Sequence, residues 1–520
     1  MNKSLLFLFL GILVLTNIHT AFAHEIIVSN LTELQNAINN VQGGDTISLP
    51  SGSYGNLIIS GKNNNSTVTI RAIPGATSVF TSVRIQNSSY WELLGVNIEP
   101  RYTSGADGKN AVVLDGNYLT VRSCIINYSD DITGWSKSTW LARAGNGIEM
   151  DGANLKVIDN TITVVDHGIG CGAANSIVSG NLIANFRGDG IRGLADDVIY
   201  EYNIIKNSFE VDDNHDDGFQ SWSYGSGGVG TGVVKNVVLR GNTIINYEDP
   251  NQPFKSNLQG IGLFDGMFEN WVVENNLVIT NHWHGISFYG AINCKIINNT
   301  VVDNDLTPSP DPWIMVTDHK NGTPSSGVIV RNNIATDFSF SGGVTEDHNI
   351  EITMNNASTY LINPSGGTGN YHLKPTSPAI DAGSDLLATV IDKDGIARPQ
   401  GSAFDIGCYE FNTLTSVNED VLVSEFALYQ NYPNPFNPTT KIKFTIPQTE
   451  NHLTGGVRGG LVTLKVYDIL GNKVATLLDE YKPAGSYEVN FMADGLTSGV
   501  YIYQLTAPGY RQARKMILAK

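Results

Sequence analysis

The chain has 520 residues, 41% of them hydrophobic, with 54 glycines, 16% charged residues and a formal charge of −18. That balance excludes a nucleic-acid binder, because a phosphate backbone selects clustered Lys and Arg and no basic face occurs. The apolar content excludes disorder, and with so few charges the polar surface must come from Asn, Ser, Thr and Gly.

Taken in chain order, residues 1–23 read as a signal peptide. Lys3 supplies a positive start, Leu5 to Leu15 an apolar run, and Ala21-Phe22-Ala23 a small-x-small cleavage site. The run is too short to span a bilayer, and no later segment could span one. Thr32 to Val41 then predicts an amphipathic helix with Thr32 as N-cap. It precedes Gly43-Gly44-Asp45-Thr46-Ile47 and Ser51-Gly52-Ser53-Tyr54. This stretch resembles the opening of many bacterial β-helix proteins, including the alginate lyase and chondroitinase B family, which implies a helix capping a first coil.

Internal repetition sets the architecture. Asn146, His167, Asp189, Asp217, Gln259 and His284 are each followed by Gly and then Ile or Phe. The spacing is constant in three successive units: Ile148 to Asn160, Ile169 to Asn181, Ile191 to Asn203. Further Asn-bearing pieces follow at Asn242, Asn276, Asn299 and Asn333. A period of about 21 residues is too short for helical repeats and suits one coil of a parallel β-helix. Inward Ile, Val and Leu would stack between coils, Asn would form a ladder, and the Gly would permit a sharp corner. The fold class expected is all-β: a right-handed single-stranded parallel β-helix over residues 24–411, a member of the pectate-lyase-like superfamily by resemblance. The widely spaced Cys124, Cys171, Cys294 and Cys408 read as buried free thiols.

Tyr371 to Gly383, Asp394-Gly395 to Pro399 and Asp405 to Glu410 resemble the closing segment shared by many secreted β-helix proteins. Asp381, Asp392, Asp394 and Asp405 are therefore read as structural. Residues 412–426 read as a linker. Asn431-Tyr432-Pro433-Asn434-Pro435-Phe436, Val462 to Tyr467, Gly471-Asn472 and Leu496 to Tyr503 follow, as period-2 strands between Gly-rich turns, a small β-sandwich over 427–520. This region resembles the type IX secretion C-terminal sorting domain. The resemblance implies passage through the periplasm and across the outer membrane of a Bacteroidetes-like bacterium, with release or surface attachment, and the type IX machinery as partner.

The repeat register also gathers chemistry. The residues before each Gly form a corner column, and Glu149, Gly170, Arg192, Gln220 and Ser287 share an outward row. Neighbouring coils lie about 4.8 Å apart, so equivalent side chains touch. Extra length enters before Gly147, Asp217, Gln259 and Trp313, and a Gly-rich insertion spans Tyr224 to Gly232, which would wall a cleft. Trp135, Trp140, Trp222, Trp271, Trp283 and Trp313 lie in this middle region, either stacking on sugars or filling core. The candidate catalytic residues are Asp189, Asp216, Asp217, His215, His284 and Arg192. His167, Gln220, Trp222, His282, Asp265, Lys320 and Trp313 are substrate-binding candidates. Asp212 and Asp213 are possible calcium ligands, because clustered oxygens suit Ca²⁺; no cofactor is otherwise required. Crowded carboxylates should raise one another's pKa, which would set one as acid and one as base.

The DGI at Asp189, HDDG at His215 and HWHG at His282 resemble part of the polygalacturonase pattern, without its leading Gly or its Arg-x-Lys. The expected function is a secreted polysaccharide-cleaving enzyme, a glycoside hydrolase with either an Asp189–Asp217 pair about 5 Å apart, as in retaining enzymes, or a pair offset by two coils at roughly 6.5–9.5 Å, as in inverting ones. A calcium-assisted uronate lyase, or a related C5-epimerase, is the alternative, although an acidic cleft would repel a uronate. A non-catalytic glycan-binding protein or adhesin is the third reading. The chain is expected to be a monomer, with a polysaccharide as substrate and no nucleic-acid partner.

Overall fold

The computed structural model describes residues 24–304, 311–353, 355–412, 426–446, 460–469, 471–482, 485–493, 495–507 and 510–519. The expected signal peptide and nearly all of the expected linker lie outside the described residues.

Alternation of apolar and polar residues along short strands closes the chain into a parallel β-helix with three strand rows per coil. On the face that carries the site, seven strands run in parallel register: β1 (Asn146–Ala153), β2 (Ile169–Ala174), β3 (Ile191–Gly193), β4 (Asp217–Trp222), β5 (Gln259–Asp265), β6 (His284–Tyr289) and β7 (Trp313–Thr317). Ile148, Ile169, Ile191, Phe219, Ile261, Ile286 and Ile314 stack coil on coil. All seven are buried. Val157, Val178, Tyr200, Leu239 and Val273 form the matching row of the second face. Ile162, Ile183, Ile205, Ile244 and Val278 form that of the third. One apolar column therefore fills the axis, and each coil contributes area that only its neighbours can cover.

The predicted asparagine ladder is present. Side-chain amide N–H groups donate from Asn160 to Asn181, on to Asn203, Asn242, Asn276, Asn299 and Asn333, and finally to Asn349, at 2.9–3.0 Å. The sharp corner falls one residue before each ladder Asn, where Asp159, Tyr202, Asn275, Asn298 and Asn332 take positive φ. The glycines ahead of the apolar column are not left-handed, which corrects their expected role. They permit close approach: a Cβ on Gly147 would stand 2.3 Å from the Gly168 carbonyl, and one on Gly260 equally near that of Gly285.

The N-terminal cap is α1, Leu31–Asn40, which buries Leu34, Ala37 and Ile38. Its N-cap is Asn30 rather than Thr32: Asn30 Oδ1 accepts the Glu33 N–H at 3.0 Å, and Glu33 reaches back to the Ser29 N–H. At the far end the carboxylates behave structurally. Asp392 accepts the N–H groups of Asp394, Ile396 and Glu410, Asp405 those of Asp381 and Phe411, and Arg398 pairs with Glu410 in full burial. All four cysteines are buried free thiols. The C-terminal region has its own core between a three-stranded and a four-stranded antiparallel sheet, centred on Phe444, Leu464, Tyr503 and Leu505.

Candidate active site

The corner column forms as the register predicts. Gly168 N–H donates to Asp189 O and Gly190 N–H to Asp217 O, while Asp217 pairs with Gln259 and His284 with Trp313. Insertions wall this corner; the first contains α2 (Lys137–Arg143), whose Trp140 is buried and packs on Phe209 at 4.7 Å.

The column does not present its carboxylates to solvent. Asp189 is 1% exposed and Asp217 0%. Asp189 Oδ1 accepts the Asp217 backbone N–H at 3.0 Å, and its Oδ2 accepts Arg192 Nε at 2.6 Å. Asp217 Oδ2 lies 3.2 Å from His215 Nδ1 and accepts Gln220 Nε2 at 2.8 Å. Asp217 Oδ1 has no partner; it abuts the bare face of Gly262, where a Cβ would stand 2.5 Å from it and 2.3 Å from the Phe264 ring. Burial raises the pKa of Asp189, and pushes that of Asp217 up to about 8. The exposed His215 is shifted upward as well, chiefly by its hydrogen bond to Asp217.

The buried carboxylates thus hold outer groups: Asp189 orients Arg192, and Asp217 orients His215 and Gln220. Arg192 crosses the Trp222 ring at 5.7 Å. Beside it opens a cleft of about 350 Å³ lined by His215, Gln220, Trp222, Gln259, Phe264, Asp265, His284, Tyr289 and Lys320. Lys320 pairs with Asp265 at 2.9 Å and lies over the rings of Phe264 and Tyr289. The expectation of an acidic cleft is therefore corrected. Carboxylates sit beneath the floor, and the groups reaching the cleft are imidazoles and an ammonium paired with its one lining carboxylate.

Other candidates take different places. Asp216 points away from the cleft: its carboxyl accepts Ser208 Oγ at 2.8 Å and also bonds Ser256, and burial raises its pKa to about 8. His167 accepts the Asp189 N–H on Nδ1 at 2.8 Å, and burial drops it to about 3, so it props the column as a neutral ring and does not line the cleft. His282 accepts the His284 N–H on Nδ1 and stacks on that ring at 5.1 Å; burial lowers it to about 4. Trp313 turns its indole N–H inward to Ser287 and His284. Asp212 is engaged by Arg187 at 3.1 Å, while Asp213 is exposed. Among the described residues no three His, Cys, Asp or Glu side chains converge as a metal set. Of the six tryptophans of the middle region, Trp140 and Trp271 are buried, Trp135, Trp222 and Trp313 half-buried, and Trp283 exposed.

Sequence reasoning missed Arg187, which is buried and binds Asp107, Asp166 and Asp212, tying three wall segments together. It missed Phe264 and Tyr289 too. Both lie two positions beyond an outward residue, Gly262 and Ser287, so the strand period would have found them. Glu149, placed on the outward row, folds over Gly170 and is raised in pKa by burial and by Asp151.

Residues 146–333 match the family model described as right handed beta helix region, and residues 430–519 that described as secretion system C-terminal sorting domain. The chain is thus a parallel β-helix protein with a type IX sorting module. It is a type IX export substrate, extracellular or attached to the outer surface. Among the described residues no helix is long and apolar enough to cross a membrane. No curated protein matches the chain. Similar solved structures include a pectate lyase (15% identity, 75% of this chain and 97% of that one, TM-score 0.40). A family 6 polysaccharide lyase from Pseudopedobacter saltans is 13% identical over 74% of this chain and 99% of that one, TM-score 0.31. A tailspike capsular polysaccharide depolymerase of an Acinetobacter baumannii bacteriophage is 10% identical over 97% and 80%, TM-score 0.33.

Proposed function

We propose that this protein is an extracellular enzyme that cleaves uronate-containing polysaccharide by β-elimination in the cleft beside Arg192. The observation that carries the reading is the inversion of the site: both column carboxylates are buried, while Arg192, His215, His284 and Lys320 face or border the opening. A hydrolase pair must touch the glycosidic oxygen and a water or the anomeric carbon, and carboxylates at 1% and 0% exposure do not. Cationic and imidazole groups instead suit a substrate that carries its own carboxylate.

In this reading Arg192 and Lys320 face the uronate carboxylate and stabilise the charge that grows on it. His215, held by Asp217, takes the proton at C5; the C4–O bond breaks as C4=C5 forms, and the departing oxygen regains a proton through solvent. His215 acts as base only when neutral. Its pKa is raised above 6.5, so the rate is expected to climb on the alkaline side of that value and fall as pH drops below it. This reading assigns no step to calcium, since Asp212 is engaged by Arg187, and chelation is expected to leave the rate unchanged.

The test is incubation with neutral and acidic glycans, following reducing ends and the absorbance of unsaturated products. Both signals together support elimination. Reducing ends without absorbance return the function to hydrolysis, deuterium entry at C5 without chain cleavage identifies an epimerase, and binding without either leaves a glycan-binding protein.

A further inference from the structure

Within the cleft, His284 is held by an arrangement that the repeat does not require. Trp313 Nε1, which can only donate, lies 3.0 Å from Ser287 Oγ and 3.3 Å from His284 Nδ1. Ser287 Oγ lies 2.9 Å from the same Nδ1 and is fully buried. Ser287 Oγ has two lone pairs and could accept from both neighbours, so the indole N–H, which also reaches Nδ1, decides the direction. An indole N–H aimed at both atoms leaves Ser287 Oγ to accept from Trp313 and to donate to Nδ1. A proton on Nδ1 would face the indole N–H head-on.

We propose that Trp313 and Ser287 are positioning residues that fix His284 as the Nε2–H tautomer, so that the cleft meets its substrate with a neutral N–H donor instead of a second base. The ring is further clamped by His282 stacked at 5.1 Å and Phe264 edge-on at 4.9 Å. Nδ1 is turned to Ser287, so the edge carrying Nε2 is left to the cleft that His284 lines. Burial opposes protonation most, and the titratable groups facing the ring, His282, Lys320 and His215, oppose it as well. The imidazole therefore stays neutral through the working pH range. A neutral donor suits an acceptor of growing negative charge, here the uronate carboxylate as it gains enolate character, because it strengthens with that charge without competing for its counter-ion. This role rests on the elimination reading; the tautomer itself does not.

The experiment is nitrogen-15 NMR of histidine-labelled full-length protein, with His284 assigned by its loss in His284→Gln. The expected signature between pH 5 and 9 is an unprotonated Nδ1 and a protonated Nε2, becoming a mixture in Ser287→Ala and in Trp313→Phe. A protonated Nδ1 in the parent protein overturns the proposal whether or not any glycan is cleaved, and needs no substrate to be seen. If the tautomer is as stated and no unsaturated product forms, the elimination reading fails alone. Where activity is present, His284→Gln keeps an N–H at the same reach and is expected to lose about tenfold or less in kcat. His284→Ala is expected to lose about a hundredfold or more. Equal losses in the two variants, with unchanged circular dichroism, would show that His284 acts as a base.

Discussion

Two columns run along this β-helix, built by the same stacking of coils, and they do opposite things. In the ladder column each Asn both donates to the next and receives from the last, so every amide is satisfied inside the fold; Asn203, for example, bonds Asn181, Asn242 and the Val178 carbonyl. In the cleft column the coil spacing is the same but the residues differ: His167, Asp189, Asp217, Gln259 and His284. Here Asp217 Oδ1 and Gln259 Oε1 are left without partners, and carboxyl pKa values rise. A repeat of identical amides closes its own hydrogen bonds. A repeat of unlike titratable groups leaves some unmet, and these residual demands orient the outer side chains toward a ligand.

The comparison can be broken most severely at His215. Replacing it with Ala should lower kcat by about 10²–10⁴-fold, the range for removing a positioned base, and flatten the alkaline rise of the pH–rate profile. Its exposed side chain should make the melting temperature almost indifferent to the change. A loss of stability without loss of activity would place His215 in the ladder's class. The converse variant is Asn203→Ala. It strands buried partners on both neighbouring coils and should cost about 3 kcal/mol by denaturant unfolding, with the kinetics of the surviving folded protein unaltered.

A third variant reads the electrostatic cost of the cleft column. Asp216 and Asp217 have folded pKa values near 8, well above the unfolded value of about 4. Between these limits the folded state holds the extra protons, so the parent protein should lose stability as pH rises from about 4 to about 8. The Asp216→Asn, Asp217→Asn double variant should be flatter, gaining stability at pH 8 relative to pH 4. Parallel stability–pH curves would mean that both carboxyls titrate normally. The smallest effect is expected at Trp222, where the Ala variant loses the ring beneath Arg192 and should raise KM about fivefold with kcat within twofold.

Much of this comparison was legible beforehand. The ladder asparagines, the column members and the outward row all follow from spacing, because a solenoid turns sequence period directly into spatial neighbourhood. The reach of each side chain was not legible. Asp216 and Asp217 are adjacent in sequence, yet one turns to Ser208 and the other to His215. His167 and His284 occupy equivalent column positions, yet the first is closed over by an N–H from Asp189 and the second lines the cleft. Arg187 carried no periodic signal, since its partners come from turns far apart in the chain.

By itself the sequence determined the coil, its register, the capping helix and the sorting module, because each rests on local period or on neighbours one coil away. Only the tertiary structure decided which column groups are buried and which are open. Burial depends on how the insertions before Gly147, Asp217 and Gln259, of unlike length, pack over one corner, and no periodicity encodes that packing. The same carboxylates that read as a catalytic pair in the sequence became, once covered, supports for the arginine and histidine above them.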